Sequence, residues 1–216
     1  MSENATLIDE RHVRYVTERT TPEDALLRDL KAAATKEGIP AIWISPAQAS
    51  FMQVLLRLGK ARDVVEVGTL AGYSAIAMAR ALPEGGRVRT IELEEKHAAF
   101  AERWVAKSDA AGKVEIHRGA GLEVLPRFAA DSADAAFLDA DKGNYPAYLE
   151  QCLRIVRRGG LIMADNAFAF GELFEDSPRD KEVAAMRRFN DLVAAEKRLS
   201  GIIVPFGDGL WVSVKR

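Results

Sequence analysis

The stretch from Val64 to Ser74, VVEVGTLAGYS, constrains the fold of this chain more than any other. It begins with apolar residues of high β propensity, passes through a turn with two glycines and continues into helix-forming residues. This order predicts a buried strand, a tight loop and the beginning of a helix. Glycine allows the backbone of such a loop to approach a ligand, because no Cβ is in the way. The glycines alone also fit an ordinary strand-to-helix turn.

An acidic residue follows at the position where a nucleoside-binding fold needs one. Glu92 ends the next predicted strand, and a carboxylate there can accept hydrogen bonds from both ribose hydroxyls. Loops that bind a nicotinamide dinucleotide carry the pattern G-x-G-x-x-G, whereas this loop has the pattern E-x-G-x-x-x-G-x-S. The wider spacing favours a nucleoside without a pyrophosphate, and S-adenosylmethionine is the ligand that we expect.

From Arg62 onward, predicted strands and helices alternate strictly, which is typical of a parallel sheet with helices on both faces. Parallel strands are expected at residues 63–67, 87–92, 113–117, 133–138 and 161–164. Helices are expected at residues 71–82, 95–111, 121–128, 145–156 and 180–197. The last two strands, 199–205 and 210–214, are joined by Gly207-Asp208-Gly209, and Asp-Gly between apolar runs indicates an antiparallel hairpin.

The length of 216 residues fits a single domain, in which residues 1–60 form a helical extension and residues 61–216 the core. Residues 5–37 are predicted to be helical, with a new helix start at Thr21-Pro22, where threonine caps and proline takes the first helical position. A further helix is expected at residues 47–58. We expect the extension to pack over the ligand site near Trp43 and Ile44, although both residues also fit ordinary core packing.

The composition argues against several classes of protein. A net charge of -2 and a pI of about 6.0 give no electrostatic footprint for nucleic acid. No apolar run approaches the roughly 20 residues that span a bilayer, and the polar N-terminus lacks a signal-peptide core. The only cysteine, Cys152, lies in a helical pattern and cannot form a disulfide framework. We therefore expect a cytoplasmic protein without nucleic-acid or membrane partners.

Acidic residues follow neighbouring strands of the predicted sheet, at the edge where ligands of open α/β sheets bind. Asp139 follows the fourth strand, and Asp165-Asn166 follow the fifth. Two carboxylates and an amide carbonyl suit Mg²⁺, or Mn²⁺ or Ca²⁺. The alternative is that these residues cap the helices that follow. None of the three histidines has metal-ligand spacing to another.

Five ordered segments carry a resemblance to a known family: VVEVGTLAGYS, IELE, AFLDADKGNY, GGLIMADN and PFGDGLWVSVKR. Together they resemble the cation-dependent O-methyltransferases, the caffeoyl-CoA and catechol O-methyltransferase family, from about Val13 to the C-terminus. The resemblance implies an α/β, class I Rossmann-like methyltransferase fold. That fold has a seven-stranded, mostly parallel sheet with an antiparallel last strand. The resemblance also implies a homodimer, to which the apolar N-terminal helices and a Phe-rich loop add weak support.

The resemblance implies a role for individual residues. Asp139, Asp165 and Asn166 would hold the metal, and Lys142 would be the general base beside Asp139. Asp139 and Lys142 would also contact the substrate, and beside them we expect Phe168 and Phe170. The cofactor would be surrounded by Ile44, Glu66, Gly68, Thr69, Ser74, Glu92, Ala120, Asp139 and Asp141.

One departure leaves the substrate open. Plant caffeoyl-CoA enzymes commonly carry Trp and Asn in the loop after the metal-binding Asp-Asn, where this chain has Ala169 and Phe170. Phe168 and Phe170 could still sandwich an aromatic ring.

We therefore expect an S-adenosylmethionine- and divalent-metal-dependent O-methyltransferase. Its substrate would be a vicinal dihydroxy aromatic such as a caffeoyl compound or a flavonoid. An NAD-dependent oxidoreductase is the alternative against which the loop spacing argues. A non-catalytic nucleotide-binding or interaction domain is the other alternative, and Lys142 beside a complete metal set argues against it.

Overall fold

A seven-stranded sheet, in the order β3-β2-β1-β4-β5-β7-β6, forms the centre of the computed structural model, which describes residues 8–205 and 207–216. Only β7 runs antiparallel to its neighbours, β5 and β6, while the other neighbouring pairs are parallel. The predicted fold class is confirmed. The strands are β1 (Asp63–Val67), β2 (Arg87–Glu92), β3 (Val114–Arg118), β4 (Ala133–Leu138), β5 (Val156–Ala164), β6 (Leu199–Val204) and β7 (Leu210–Lys215).

Helices cover both faces of this sheet and bury two separate cores. Successive residues of a strand point to opposite faces, so Val64 contributes to the first core and Val65 to the second. Helices α2 to α5 pack on the first face and α6 to α8 on the second. The helices are α1 (Glu10–Arg19), α2 (Ala25–Lys36), α3 (Pro46–Leu58), α4 (Tyr73–Ala79), α5 (Glu95–Lys107), α6 (Gly121–Val124), α7 (Tyr145–Ile155) and α8 (Val183–Ala195).

The N-terminal helices differ from the prediction at the start of α2. Asp24, not Thr21, caps this helix, because its side chain accepts a hydrogen bond from the Leu27 N–H at 2.9 Å. Thr21 and Pro22 lie in the link between α1 and α2, so the predicted cap is wrong. Residues 5–7 of the predicted helix lie outside the described residues.

The fifth strand begins five residues earlier than predicted, at Val156 instead of residue 161. The Arg-Arg-Gly-Gly segment lies inside β5, which begins at Val156. Gly159 has a φ of 78°, and the pairing with β4 shifts register between Ala133 and Ala135. The glycine pair therefore makes an irregularity within the strand instead of a turn ahead of it.

Helix α4 is shorter than predicted and begins at Tyr73. The residues before it cannot be helical, because Leu70 and Gly72 have φ of 47° and 85°.

Cys152 is fully buried in the second core, as expected for a structural cysteine. No helix in the described ranges has the length and apolarity that crossing a bilayer would require. The cytoplasmic location and the division into extension and core stay predictions.

Candidate functional site

A cavity of about 340 Å³ opens at the carboxyl ends of β1, β2 and β4. Strand order reverses between β1 and β4, and such a switch point is where open α/β sheets bind ligands. Trp43 and Ile44, just before α3, contribute to one wall. Of the residues predicted to surround the cofactor, those lining the cavity are Ile44, Gly68, Thr69, Ser74, Glu92, Ala120, Asp139 and Asp141.

The first loop glycine is required by a close approach of two strand ends. Gly68 has a φ of 103°, and a Cβ added there would lie 1.9 Å from the backbone oxygen of Asp139. Only glycine allows both the backbone angle and the contact. Because Gly68 has no side chain, the loop after β1 can lie directly against the start of the loop after β4.

Glu92 makes backbone contacts that the sequence did not reveal. Its Oε2 accepts hydrogen bonds from the backbone N–H groups of Thr69 and Leu70, at 3.2 and 2.7 Å, and its Oε1 accepts from Glu94 N–H at 2.9 Å. One carboxylate at the end of β2 thus holds the glycine loop in place and lines the cavity at the same time.

The opposite wall is organised by Asp141. Its carboxylate accepts hydrogen bonds from the Tyr148 hydroxyl and from Asn144 Nδ2, both at 2.6 Å. Burial and the neighbouring Asp141 raise the pKa of the Tyr148 hydroxyl, so it remains a donor. Beside it, a Cβ at Gly121 would lie 2.7 Å from the Tyr148 ring, which explains why this position of the wall is glycine.

Glu66 is the predicted cofactor residue that does not line the cavity. Its side chain is fully buried in β1, and neither carboxylate oxygen has a hydrogen-bond partner among the described residues. Burial raises the pKa of Glu66 to about 8, although the nearby hydroxyls of Ser74 and Thr90 oppose the change. The carboxyl group is therefore protonated near neutral pH in the free protein.

Asp139 and Asp165 come together at the edge of the cavity. Leu138 of β4 pairs with Ala164 of β5, so the two acidic residues follow neighbouring strand ends, as predicted. Asp165 is buried and Asp139 is partly buried. Burial and the charge of Asp139 raise the pKa of Asp165 to about 6, and burial raises the pKa of Asp139 as well. Two carboxylates are thus held close together with little water to solvate them.

Lys142 provides a positive charge beside this pair. Its Nζ donates hydrogen bonds to Asp139 Oδ1 at 3.2 Å and to the Tyr145 hydroxyl oxygen at 2.7 Å. Tyr145 in turn donates to the backbone oxygen of Leu138 at 3.1 Å, which orients its hydroxyl toward the lysine. Lys142 is buried, whereas a lysine that only began a helix would face the solvent.

Gln48 is a further contact that sequence reasoning missed. Its Nε2 donates to Asp165 Oδ1 at 2.9 Å across 117 residues of sequence. The N-terminal extension is therefore joined to the site through α3. No local pattern marks this glutamine as functional.

Asn166, Phe168 and Phe170 lie in the loop after β5, outside the lining of the cavity. Asn166 Nδ2 donates to Asp208 Oδ2 at 3.0 Å, and Phe170 is 40% exposed. Within the described ranges, no cluster of three or more His, Cys, Asp or Glu side chains suits a metal ion. The predicted metal set has only two carboxylates, and its third member is an amide.

Comparison with known proteins decides the family. The model of the O-methyltransferase family matches residues 17–216. The chain belongs to this family. A catechol O-methyltransferase of Niastella koreensis is 37% identical over 193 residues, which cover 88% of this chain and 87% of that protein.

Solved structures of similar methyltransferases contain the cofactor or its product. The O-methyltransferase from Bacillus cereus in complex with S-adenosylhomocysteine matches with a TM-score of 0.86 and 36% identity, over 94% of this chain and 96% of that one. TomG from Streptomyces achromogenes, involved in tomaymycin synthesis and solved with S-adenosylmethionine, matches with a TM-score of 0.84 and 30% identity, over 94% of each chain. This methyltransferase is thus an S-adenosylmethionine-dependent O-methyltransferase, and the predicted activity class is confirmed in preference to a dinucleotide-dependent oxidoreductase.

Proposed function

We propose that this methyltransferase transfers a methyl group to one hydroxyl of a vicinal dihydroxy aromatic compound. We further propose that it uses a divalent cation held by Asp139, Asp165 and Asn166. The observation that carries the proposal is the pair of carboxylates at neighbouring strand ends beside Lys142, at the rim of the cofactor cavity. The similarity to a catechol O-methyltransferase supports the same substrate class.

The residues at this position fit a hard divalent cation. Both carboxylates have a raised pKa: burial raises that of Asp139, and burial together with the charge of Asp139 raises that of Asp165. A cation between them would relieve this repulsion, and carboxylate and amide oxygens are the ligands that Mg²⁺, Mn²⁺ and Ca²⁺ prefer. A bound cation would withdraw electron density from the diol oxygens and favour loss of a hydroxyl proton.

The side chains of the site would accept the hydroxyl proton and align the reacting atoms. Lys142 would act as the general base and accept the hydroxyl proton on Nζ, and Tyr145 would keep that nitrogen in place. The substrate oxygen then forms a bond to the methyl carbon while the carbon–sulfur bond breaks, and its electrons stay on sulfur in S-adenosylhomocysteine. Alignment of oxygen, carbon and sulfur is the remaining requirement.

We infer the contacts of the cofactor from the residues that surround the cavity. Glu92 would bind the ribose hydroxyls, and Ala120 would contact the adenine. Glu66, Gly68, Thr69 and Ser74 would surround the methionine part, with Asp141 at its amino group and Ile44 closing over it. Support comes from the lining of the cavity, which includes each of these residues except Glu66.

Phe168 and Phe170 are proposed to hold the aromatic ring of the substrate. Phe168 packs closely at the β6–β7 turn, since a Cβ at Gly209 would lie 2.9 Å from its ring. Phe170 is 40% exposed, so its ring is accessible to a ligand at the loop surface. Offset or edge-to-face packing against such rings favours a flat aromatic substrate.

A substrate panel with matched diols and monophenols tests the proposal. Catechol, caffeate, its CoA ester and a dihydroxyflavonoid would each be compared with the analogue that lacks one hydroxyl. We expect methylation of the diols only, loss of turnover after treatment with EDTA, and recovery on addition of Mg²⁺ or Mn²⁺. Equal rates for diols and monophenols, unaffected by EDTA, would contradict the proposal.

We also propose that the enzyme is a homodimer that uses an exposed apolar surface on the first face of the sheet. Leu58 of α3 and Ile202 of β6 are 75% and 64% exposed. Ile202 faces the same side as Val212 and Val214, and Val214 pairs with Leu161, which packs in the first core with α3. Exposed apolar surface of this kind is typical of an interface.

Light scattering tests the assembly. At micromolar concentration we expect a dimer for the wild type, a monomer for Leu58→Asp, and a dimer for the control Leu122→Asp, since Leu122 lies on the opposite face. A monomeric wild type would contradict the proposal.

A further inference from the structure

The loop after β5 contains three non-glycine residues in the left-handed region of backbone conformation. Asn166, Ala169 and Phe170 have φ of 65°, 53° and 61°, and none of them is glycine. For residues with a Cβ the left-handed region is unfavourable, because the Cβ crowds the following carbonyl oxygen. Strained positions of this kind persist only where the surrounding structure fixes them, and they cluster at functional sites.

The side chain of Asp208 supplies that fixing contact. Its Oδ2 accepts hydrogen bonds from Asn166 Nδ2 at 3.0 Å and from the Phe170 N–H at 2.8 Å. Its Oδ1 accepts from the Gly171 N–H at 3.2 Å. One carboxylate thus binds the side chain of Asn166, which follows Asp165, and the backbone of Phe170 and Gly171 further along the loop.

The backbone of the same turn adds to this attachment. The Phe168 N–H donates to the backbone oxygen of Asp208, and the Ala167 N–H donates to that of Gly209, both at 2.8 Å. The β6–β7 turn is therefore hydrogen-bonded to residues 166–168, 170 and 171 of the loop, whereas in the sequence Gly207-Asp208-Gly209 indicated only a hairpin.

The pairing with Asp208 determines which atom of Asn166 is available to a ligand. An ionised carboxylate only accepts hydrogen bonds, so the amide NH₂ must face Asp208 and Oδ1 must face away. An amide binds a hard cation through its oxygen and not through its nitrogen. The hydrogen bond to Asp208 therefore turns the amide oxygen of Asn166, and not its NH₂ group, away from Asp208.

We propose that Asp208 is a positioning residue that turns the Asn166 oxygen toward the divalent cation and holds the loop of Phe168 and Phe170. This inference rests on the proposed metal site. Partners that orient a ligand typically contribute about 10- to 100-fold to metal affinity.

Asp208→Asn is the variant that tests this role with little change of shape. Its amide has one oxygen and one NH₂ group, so the NH₂ group must face either Asn166 Nδ2 and the Phe170 N–H or the Gly171 N–H. We expect Mn²⁺, titrated by electron paramagnetic resonance without substrate, to bind about 10- to 100-fold more weakly. S-adenosylhomocysteine affinity, measured by calorimetry, should be unchanged, because Asp208 does not line the cofactor cavity. Asp191→Asn, an exposed change of the same charge on α8, is the control and should bind Mn²⁺ normally.

A double-mutant cycle separates positioning from general support of the loop. If Asp208 acts through Asn166, then Asp208→Asn should cause no further loss of Mn²⁺ affinity in an Asn166→Ala background. Losses that add fully would overturn the inference. If Asp208→Asn fails to fold, the titration is made with the double variant Asp208→Asn/Phe170→Gly, because glycine relieves the strained φ at residue 170.

The outcomes also distinguish this inference from the proposed function. If the wild type binds Mn²⁺ no better than Asp165→Ala does, the metal site and the role of Asp208 both fail. If the wild type binds Mn²⁺ well and Asp208→Asn binds it equally well, only the role of Asp208 is overturned.

Discussion

Replacement of the buried Glu66 by glutamine should change how the stability of the free protein depends on pH. Glu66 is fully buried in β1 without a hydrogen-bond partner among the described residues. Burial raises its pKa from 4.5 to about 8 in the folded protein. Between these values the unfolded chain releases the proton and the folded protein keeps it, so a rise in pH favours unfolding.

The sign and size of the effect follow from this difference. The contribution of the protonated carboxyl group to stability is fully present below pH 4.5 and is lost as the pH rises through about 8. At about 1.4 kcal/mol per pH unit, the upper limit of the loss is roughly 5 kcal/mol. Glutamine cannot ionise, and the cost of burying its amide, about 1–3 kcal/mol, does not vary with pH.

Urea unfolding of both proteins at pH 5, 6, 7 and 8, without cofactor, measures the difference. We expect the free energy of unfolding of Glu66→Gln, relative to wild type, to increase by about 1 kcal/mol per pH unit across this range. Titration of groups that do not interact with Glu66 cancels in the comparison. Glu84→Gln, at an exposed turn, should give a constant difference. Parallel curves for Glu66→Gln and wild type would refute the reasoning, because they would show that Glu66 ionises alike in both states.

Three further substitutions test the site. Lys142→Ala should lower kcat by about 10²- to 10⁴-fold, with a smaller loss at high pH, where the diol ionises unaided; near-normal turnover at neutral pH would remove Lys142 as the base. Asp165→Ala should weaken Mn²⁺ binding, because it removes a charged ligand, and excess Mg²⁺ should restore part of the activity; unchanged Mn²⁺ affinity in a titration would contradict this. Gly68→Ala should lower the melting temperature and abolish S-adenosylhomocysteine binding, since the new Cβ would lie 1.9 Å from the Asp139 oxygen; normal melting and calorimetric binding would refute the close approach.

Much of the fold could be predicted from the sequence, because the signals are local. Alternation of strands and helices, the Gly68 loop and the Asp-Gly turn each depend on a few neighbouring residues. General rules of parallel sheets then placed Asp139 beside Asp165. Boundaries were less predictable where two local signals compete, as for the α2 cap, where Asp24 takes the position expected of Thr21.

The contacts that complete the site depend on tertiary structure. Gln48 reaches Asp165 from α3, and Asp208 reaches Asn166 from the β6–β7 turn. These partners are far apart in sequence, and polar side chains in a helix or turn look the same whether or not they meet a ligand. The raised pKa of Glu66 likewise follows from burial, which no single strand determines. The sequence by itself determined the elements and the types of chemical group at the strand ends. Only the packing of the whole chain decided which of those groups are oriented and desolvated, because burial and long-range hydrogen bonds arise when distant segments meet.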